Sequence, residues 1–327
     1  MSTYVACCSH SPMMVMGLDQ VVPGEQDRYH AAMASVAAEL EAYDPELIVV
    51  FYPDHFIGFP LDLIPPFCVG INARSAEEFG IAEHQLDVPQ EIAGELVEHL
   101  QGLNFDVAFS HNMTVDHGAT LTLTQLLGDI TRRKVLPILV NCTGGPRPSF
   151  RRVRQLGTAV GSYFASAGIK VAVLGSGGLS HDSPSSRIAK RSPERFLRAN
   201  RRTPEEQRQF ELDGAENARR MLAGDVEASR PPNQQWDEEF LRMLLENDVE
   251  AIDGLTDDGI DTEAGGGTHE VRTWVAAAAA GRALGALPLQ RTYYALMSEW
   301  ITGMGIVSNG ARALTATAGS SVGAVDA

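Results

Sequence analysis

The chain has 327 residues, 44% hydrophobic and 21% charged, with 31 glycines. That composition gives a globular protein enough apolar material for a sizeable core, and it excludes intrinsic disorder, collagen-like repeats and small disulfide scaffolds. Its 26 basic and 42 acidic side chains leave a formal charge of −16, a field that repels phosphate backbones and anionic bilayers and argues against nucleic-acid or membrane partners.

Taken in chain order, the first apolar run is TYVACCS, which reads as a buried strand with His10 just beyond its end in CCSHSP. It carries Cys7 and Cys8; together with Cys68 and Cys142 these show no paired metal-site spacing, so a reduced, cytoplasmic chain is expected. In 26–42, Tyr29, Met33, Val36 and Leu40 recur at helical steps. ELIVVFY at 46–52 reads as a second strand, with Asp54 and His55 at its exit in FYPDHF. Ile92, Leu96, Leu100 and Leu103 mark another helix, and FDVAFS at 105–110 a further strand, with Asp116 and His117 in the VDHG turn beyond it. KVLPILV at 134–140 and KVAVLGS at 170–176 are the last strand-like runs, and GSGGLSH carries the chain from the second of these to His181.

These runs are β-branched and nearly continuous rather than alternating, which suits strands covered on both faces. The expected fold is therefore α/β, layered α/β/α around a central, mostly parallel sheet. From 183 to about 260 the texture turns charged and helical, predicting a helical excursion or cap; its basic cluster, Arg195 to Arg202, reads as a solvated, ion-paired face. GGGTHE at 265–270 opens a helix that continues as VRTWVAAAAAGRALG. Past Asn309 there is no large apolar anchor, so residues 1–308 are expected to form one catalytic domain and 309–327 a flexible tail. The start lacks the basic residues of a secretory signal. The most apolar stretch, Trp274 to Leu289, is interrupted by Arg282 and is shorter than the ~20 residues that span a bilayer.

Ligands in open α/β sheets gather beyond the carboxyl ends of strands. His10, His55, His117 and His181 all fall in such exits, so four of nine histidines sit where chemistry is usually placed. One loop histidine is ordinarily a hydrogen-bonded structural residue; four at independent strand exits, beside prolines or glycines that fix tight turns, are harder to explain by stability alone. His30, His84, His99 and His111 read as structural. Glu270 is either a first-turn acid complementing a helix dipole or a ligand. Two histidines with one carboxylate make the facial set that holds Fe(II) with open positions, and the same set suits zinc, so a zinc-dependent hydrolase is the alternative. With no HxxxH or HExxH present, spacing does not choose among the histidines. GSGG at 175–178 lacks GxGxxG and a P-loop lysine, and Ser176 lacks a GxSxG elbow.

The fragments CCSHSP, PDHF with PPFCVG behind it, VDHG, LGSGGLSH, THE with TWVAA, and EWITGMG occur in this order over nearly the whole chain. Together they resemble the class III extradiol dioxygenases. The resemblance implies an Fe(II) enzyme that cleaves a 3-substituted catechol beside its diol using O2, acting on a small catecholic substrate and assembling as a homo-oligomer. It places iron ligands on His10, His55 and Glu270. It makes His181 the base toward the catechol and His117 the acid assisting ring-bond migration, with Asp116 orienting or tuning His117. After His181 the chain reads DSPSS where the family's turn is richer in proline, which leaves the outer pocket wall, and the arginine among 187–202 that would meet a side-chain carboxylate, unassigned.

Overall fold

The computed structural model describes residues 3–16, 24–182, 193–197, 202–225 and 230–310. Ten strands are described: β1 (Tyr4–Cys8), β2 (Leu47–Tyr52), β3 (Phe67–Gly70), β4 (Ala73–Ser75), β5 (Ala108–Ser110), β6 (Met113–Val115), β7 (Val135–Val140), β8 (Val171–Ser176), β9 (Gln290–Met297) and β10 (Thr302–Ser308). Eight form one sheet in the order β5-β3-β7-β2-β8-β1-β10-β9, and β4 pairs with β6 in a separate ribbon. The block β7-β2-β8-β1 is parallel throughout, and each of its strands is buried along its whole length, as the continuous apolar runs require. Antiparallel pairing enters at the flanks, between β3 and β7, β1 and β10, and β10 and β9.

Helices α1 (Glu25–Tyr43), α2 (Gln90–Gly102), α3 (His117–Leu127) and α4 (Phe150–Ala167) connect the strands; α5 (Pro204–Leu222), α6 (Gln234–Glu246), α7 (Val249–Gly254) and α8 (Asp257–Glu263) make up the described part of the helical excursion; α9 (Val271–Ala283) returns to the sheet. One layer holds α4 and α9, which pack on each other, with α9 lying on β8 and β1 and α2 against α4; α1 and α3 pack together against the sheet as a second layer. The expected α/β/α layering is what the chain adopts. A Cβ added at Gly157 or Gly161 of α4 would lie 2.1 Å from the Ala276 carbonyl or 2.3 Å from that of Ala280, so the alanine run of α9 and these two glycines let the helix backbones nearly touch. On α1, Tyr29, Met33, Val36 and Leu40 are all buried, as their spacing predicts.

Four local readings differ. Leu103, placed on the apolar face of α2, is the residue that ends the helix and is 49% exposed. The 105–110 strand starts only at Ala108, although Phe105 and Val107 are buried before it. Asp116 and His117 do not lie in a free turn: Asp116 caps α3 and His117 is its first residue. Asn309, expected to begin the loose tail, is buried and bonds β1 through Val5 N–H and the Thr3 carbonyl. Residues 311–327, the DSPSS turn past Asp182, and residues 198–201 of the cluster Arg195 to Arg202 lie outside the described residues, as does the side chain of Arg195. All four cysteines are buried free thiols. Among the described residues no helix is long and apolar enough to cross a membrane.

Candidate active site

The carboxyl ends of β1, β2 and β8 converge on one cavity. Beyond β1, Ser9 is fixed to β10, its N–H bonding the Gly305 carbonyl and its Oγ accepting from Gly305 N–H, both at 2.9 Å, which delivers His10 to the end of the sheet. Beyond β2, the buried Asp54 carboxylate accepts the N–H groups of Gly58 and Phe59 at 2.8 and 3.0 Å and so bends the loop that presents His55. Beyond β8, Gly178 N–H donates to Glu270 Oε2 at 2.7 Å, and His181 N–H to Thr268 Oγ1 at 3.1 Å, tying the third exit to the start of α9. A methyl group at Gly267 would lie 2.1 Å from His181 Nε2; the bare backbone there is what gives the imidazole its room.

The five residues singled out from the sequence meet. Glu270 lies 3.0 Å from His55 Nε2, 3.6 Å from His181 Nε2 and 3.8 Å from His10 Nε2. The His117 ring stacks on that of His55 at 4.0 Å between centroids and stands edge-on to His10 at 5.9 Å. One ring nitrogen each from His10, His55 and His117 lies within 4.8 Å of the others, so by distance His117 competes with Glu270 as a third donor.

The hydrogen-bond network fixes the imidazole tautomers. His55 Nδ1 faces Asp116 Oδ2 at 3.0 Å, His117 Nδ1 faces both oxygens of Glu78 at 3.2 Å, and His181 Nδ1 faces the Leu179 carbonyl at 2.9 Å. Each partner accepts, so each Nδ1 carries the proton. Ser176 gives its hydroxyl proton to the Gly118 carbonyl, which leaves its oxygen to accept from His10 Nδ1 at 3.1 Å and from Thr122 at 2.8 Å. All four Nε2 atoms are thereby left as lone pairs, and those of His10, His55 and His181 face a carboxylate that also only accepts. Facing lone pairs at 3.0–3.8 Å are held together by a cation or a proton between them, and imidazole nitrogen with carboxylate oxygen is a donor set that fits Fe(II) or Zn(II).

The electrostatics divide the four rings into two pairs. Burial alone would lift the Glu270 carboxyl, but His181 and His55 beside it outweigh that and hold it well below its ordinary range. His10 is pushed down to about 3 by burial, with the neighbouring His55 and His117 adding to the effect, and His117 to about 3 by burial and His55. Burial would lower His55 too, but Asp116 and Glu270 reverse the sign; Glu270 does the same for His181.

Asp116 keeps part of the role that chain adjacency assigns it, its negative charge favouring a proton on His117. Its carboxylate accepts the backbone N–H and Nδ1–H of His55 and caps α3 through Gly118 N–H, while its nearest approach to His117 Nδ1 is 4.0 Å. It orients His55, and Glu78 takes the place beside His117 that chain adjacency assigned to Asp116. Asp116, His117 and Glu78 also approach within metal-ligand distance of one another, but their facing atoms are already taken up in these hydrogen bonds. The sequence reading missed Glu78, Ser176 as an anchor for His10, and Thr122. A pattern of hydroxyls and carboxylates one step behind each histidine leaves no spacing signal, because the partners come from different elements.

The cavity over these groups measures about 380 Å3, within the range of small-molecule sites, and is walled by Met13, Ile57, Phe79, Phe210 and Ile301. Among the described residues no lysine or arginine lines it, and Glu211, Asp213 and Glu216 of α5 border its outer side. A second cavity shares Met16, Ile57, Glu78, Phe79 and Glu211 with it and contains Arg74, Arg202 and Arg208.

Residues 4–305 match the model of a family described as the catalytic LigB subunit of aromatic ring-opening dioxygenase. Relatives named 2,3-dihydroxyphenylpropionate/2,3-dihydroxicinnamic acid 1,2-dioxygenase include one from Azotobacter vinelandii, 39% identical over 94% of this chain and 99% of its own length, and one from Xanthobacter autotrophicus, 38% identical over the same shares. A third, from Photorhabdus laumondii, is 38% identical over 94% of this chain and 97% of its own. A solved structure of an uncharacterized Escherichia coli K12 protein covers 94% of this chain and 99% of its own at 12% identity and a TM-score of 0.46, a likeness too slight to bear on either fold or chemistry.

Proposed function

Because this chain belongs to the family of catalytic LigB subunits of aromatic ring-opening dioxygenases and is an extradiol catechol dioxygenase, we propose that it uses Fe(II) held by His10, His55 and Glu270 to open a 3-substituted catechol. The substrate side chain is a propionate or cinnamate carboxylate, as in the names of the relatives. The observation that carries the ligand assignment is the convergence of Nδ1-protonated imidazoles on one ionised carboxylate. Glu270 is preferred to His117 as third ligand because a buried dication gains more from an anion than from a third neutral ring. Family membership and the histidine pair favour ring cleavage over the zinc hydrolase. The same reading places the enzyme in the cytoplasm as a homo-oligomer.

Bound Fe(II) supplies a common site for the diol and O2 and makes the catechol more acidic. His181, with Nδ1–H given to the Leu179 carbonyl, presents a bare Nε2 that takes the catechol proton. His117, across the cavity and stacked on His55, takes up the second diol proton at Nε2 and gives it to the oxygen that leaves as the ring bond migrates. Met13, Phe79, Phe210 and Ile301 receive the aromatic ring and exclude bulk water. The side-chain carboxylate points to the neighbouring cavity, where the arginines stand. The test is oxygen uptake and yellow product on mixing air with anaerobically Fe(II)-loaded protein and a carboxylated catechol. A zinc-containing protein that leaves the mixture colourless would sink the reading.

A further inference from the structure

Glu78 has no place in the chemistry so far, yet it is 4% exposed, lines the cavity and lies against His117. It sits in the tight turn AEEFGI, closed by paired hydrogen bonds between Glu78 and Ile81 at 2.8 and 3.2 Å, with Phe79 at φ +50° and Gly80 at φ +77°. The turn is fastened to the start of α3 by the bond from Ala76 N–H to the Val115 carbonyl, 2.8 Å, and by the pairing of β4 with β6. One carboxylate oxygen accepts the backbone N–H of His117, and both oxygens stand 3.2 Å from its Nδ1. Phe79 presses edge-on to the same ring at 4.9 Å while His55 stacks on it at 4.0 Å. The ring is thus held on its face, at its edge and at one nitrogen.

We propose that Glu78 is the positioning residue for His117. It accepts the Nδ1 proton, which keeps the lone pair on Nε2 turned into the cavity. Burial lifts its carboxyl to about 7, and the imidazolium present while His117 holds a second proton draws it to the charged form, each stabilising the other. The proton that moves arrives at Nε2 and leaves from Nε2; the Nδ1 proton stays on the Glu78 bond throughout. This rests on the acid role given to His117 above. The triad logic is general: a base or acid is aimed and its charged form stabilised by a third group behind it.

The experiment uses Fe(II)-loaded full-length protein and the carboxylated catechol. Glu78→Gln keeps the shape and removes the charge; it is expected to bind iron normally, to change KM by less than about two-fold and to lower kcat by on the order of 10–100-fold, part of the contribution of a general acid. Glu98→Gln, exposed on α2 and away from both cavities, is expected to match wild type. In a His117→Ala background, Glu78→Gln should cost nothing further, because it acts through the imidazole already removed. Glu78→Asp keeps the acceptor and should retain more kcat than Glu78→Gln, a comparison that stands if the glutamine variant folds poorly. Wild-type kcat in Glu78→Gln beside an inactive His117→Ala overturns the proposal, as does a loss that multiplies with His117→Ala. A His117→Ala enzyme that turns over normally removes the acid role itself, and the positioning role with it.

Discussion

The floor and the outer wall of the cavity are built on opposite principles. His10, His55, His181 and Glu270 stand at the ends of parallel strands and the head of a helix, and every imidazole has its Nδ1 bonded to a neighbour. The wall, α5, has Ala215 and Ala218 as its buried residues among those described and leaves Leu212 53% exposed; its described hydrogen bond to the floor side runs from Phe79 N–H to Glu211. Chemistry needs atoms held to fractions of an ångström, and strand ends in a sheet buried on both faces provide that. Discrimination among side chains tolerates a helix with few anchors, which can change its residues without disturbing the floor.

The largest expected effect lies in the floor. Glu270→Ala should lose more than ~10²-fold in iron affinity, read as metal content after dialysis, with turnover falling in step. Normal iron content in that variant would move the ligand to Asp54, Asp116 or His117 and break the contrast at its centre. Next, His181→Ala should keep its iron and lose ~10²–10⁴ in kcat, separating groups that hold the metal from groups that move protons; a loss of iron would merge the two. The smallest effect belongs to the wall. Phe210→Ala should leave kcat within two-fold and raise KM for the substituted catechol by about ten-fold, the value of a modest apolar contact. A collapse of kcat there would show that the wall is part of the machinery.

What the sequence made legible follows the same division. The histidines were readable because strands announce themselves as apolar runs and their exits are where polar groups stand free, and Glu270 because GGGTHE breaks one helix and opens another. Glu78 was not, since Glu77 and Glu78 look alike in AEEFG and only the folded turn buries one and exposes the other. Asp116 was half readable from adjacency: its charge acts on His117 from 4.0 Å, but capping α3 turns its carboxylate toward His55. The antiparallel flank went unread because β9 is half exposed and β10 begins inside the motif EWITGMG, so neither presents a bare apolar run.

The placement of β1 sets a rule of assembly. It is hydrogen-bonded on one side to β8 and on the other to β10, and its Val5 N–H is closed by Asn309, 304 residues further along. The segment that carries His10 must wait for one made 304 residues later before its pairing is complete, an arrangement of long sequence separation that folds slowly. A half-synthesised polypeptide therefore lacks both Glu270 and the strand that steadies His10. A donor set drawn from His10 and Glu270 thus closes only after the helix that walls the cavity has been made.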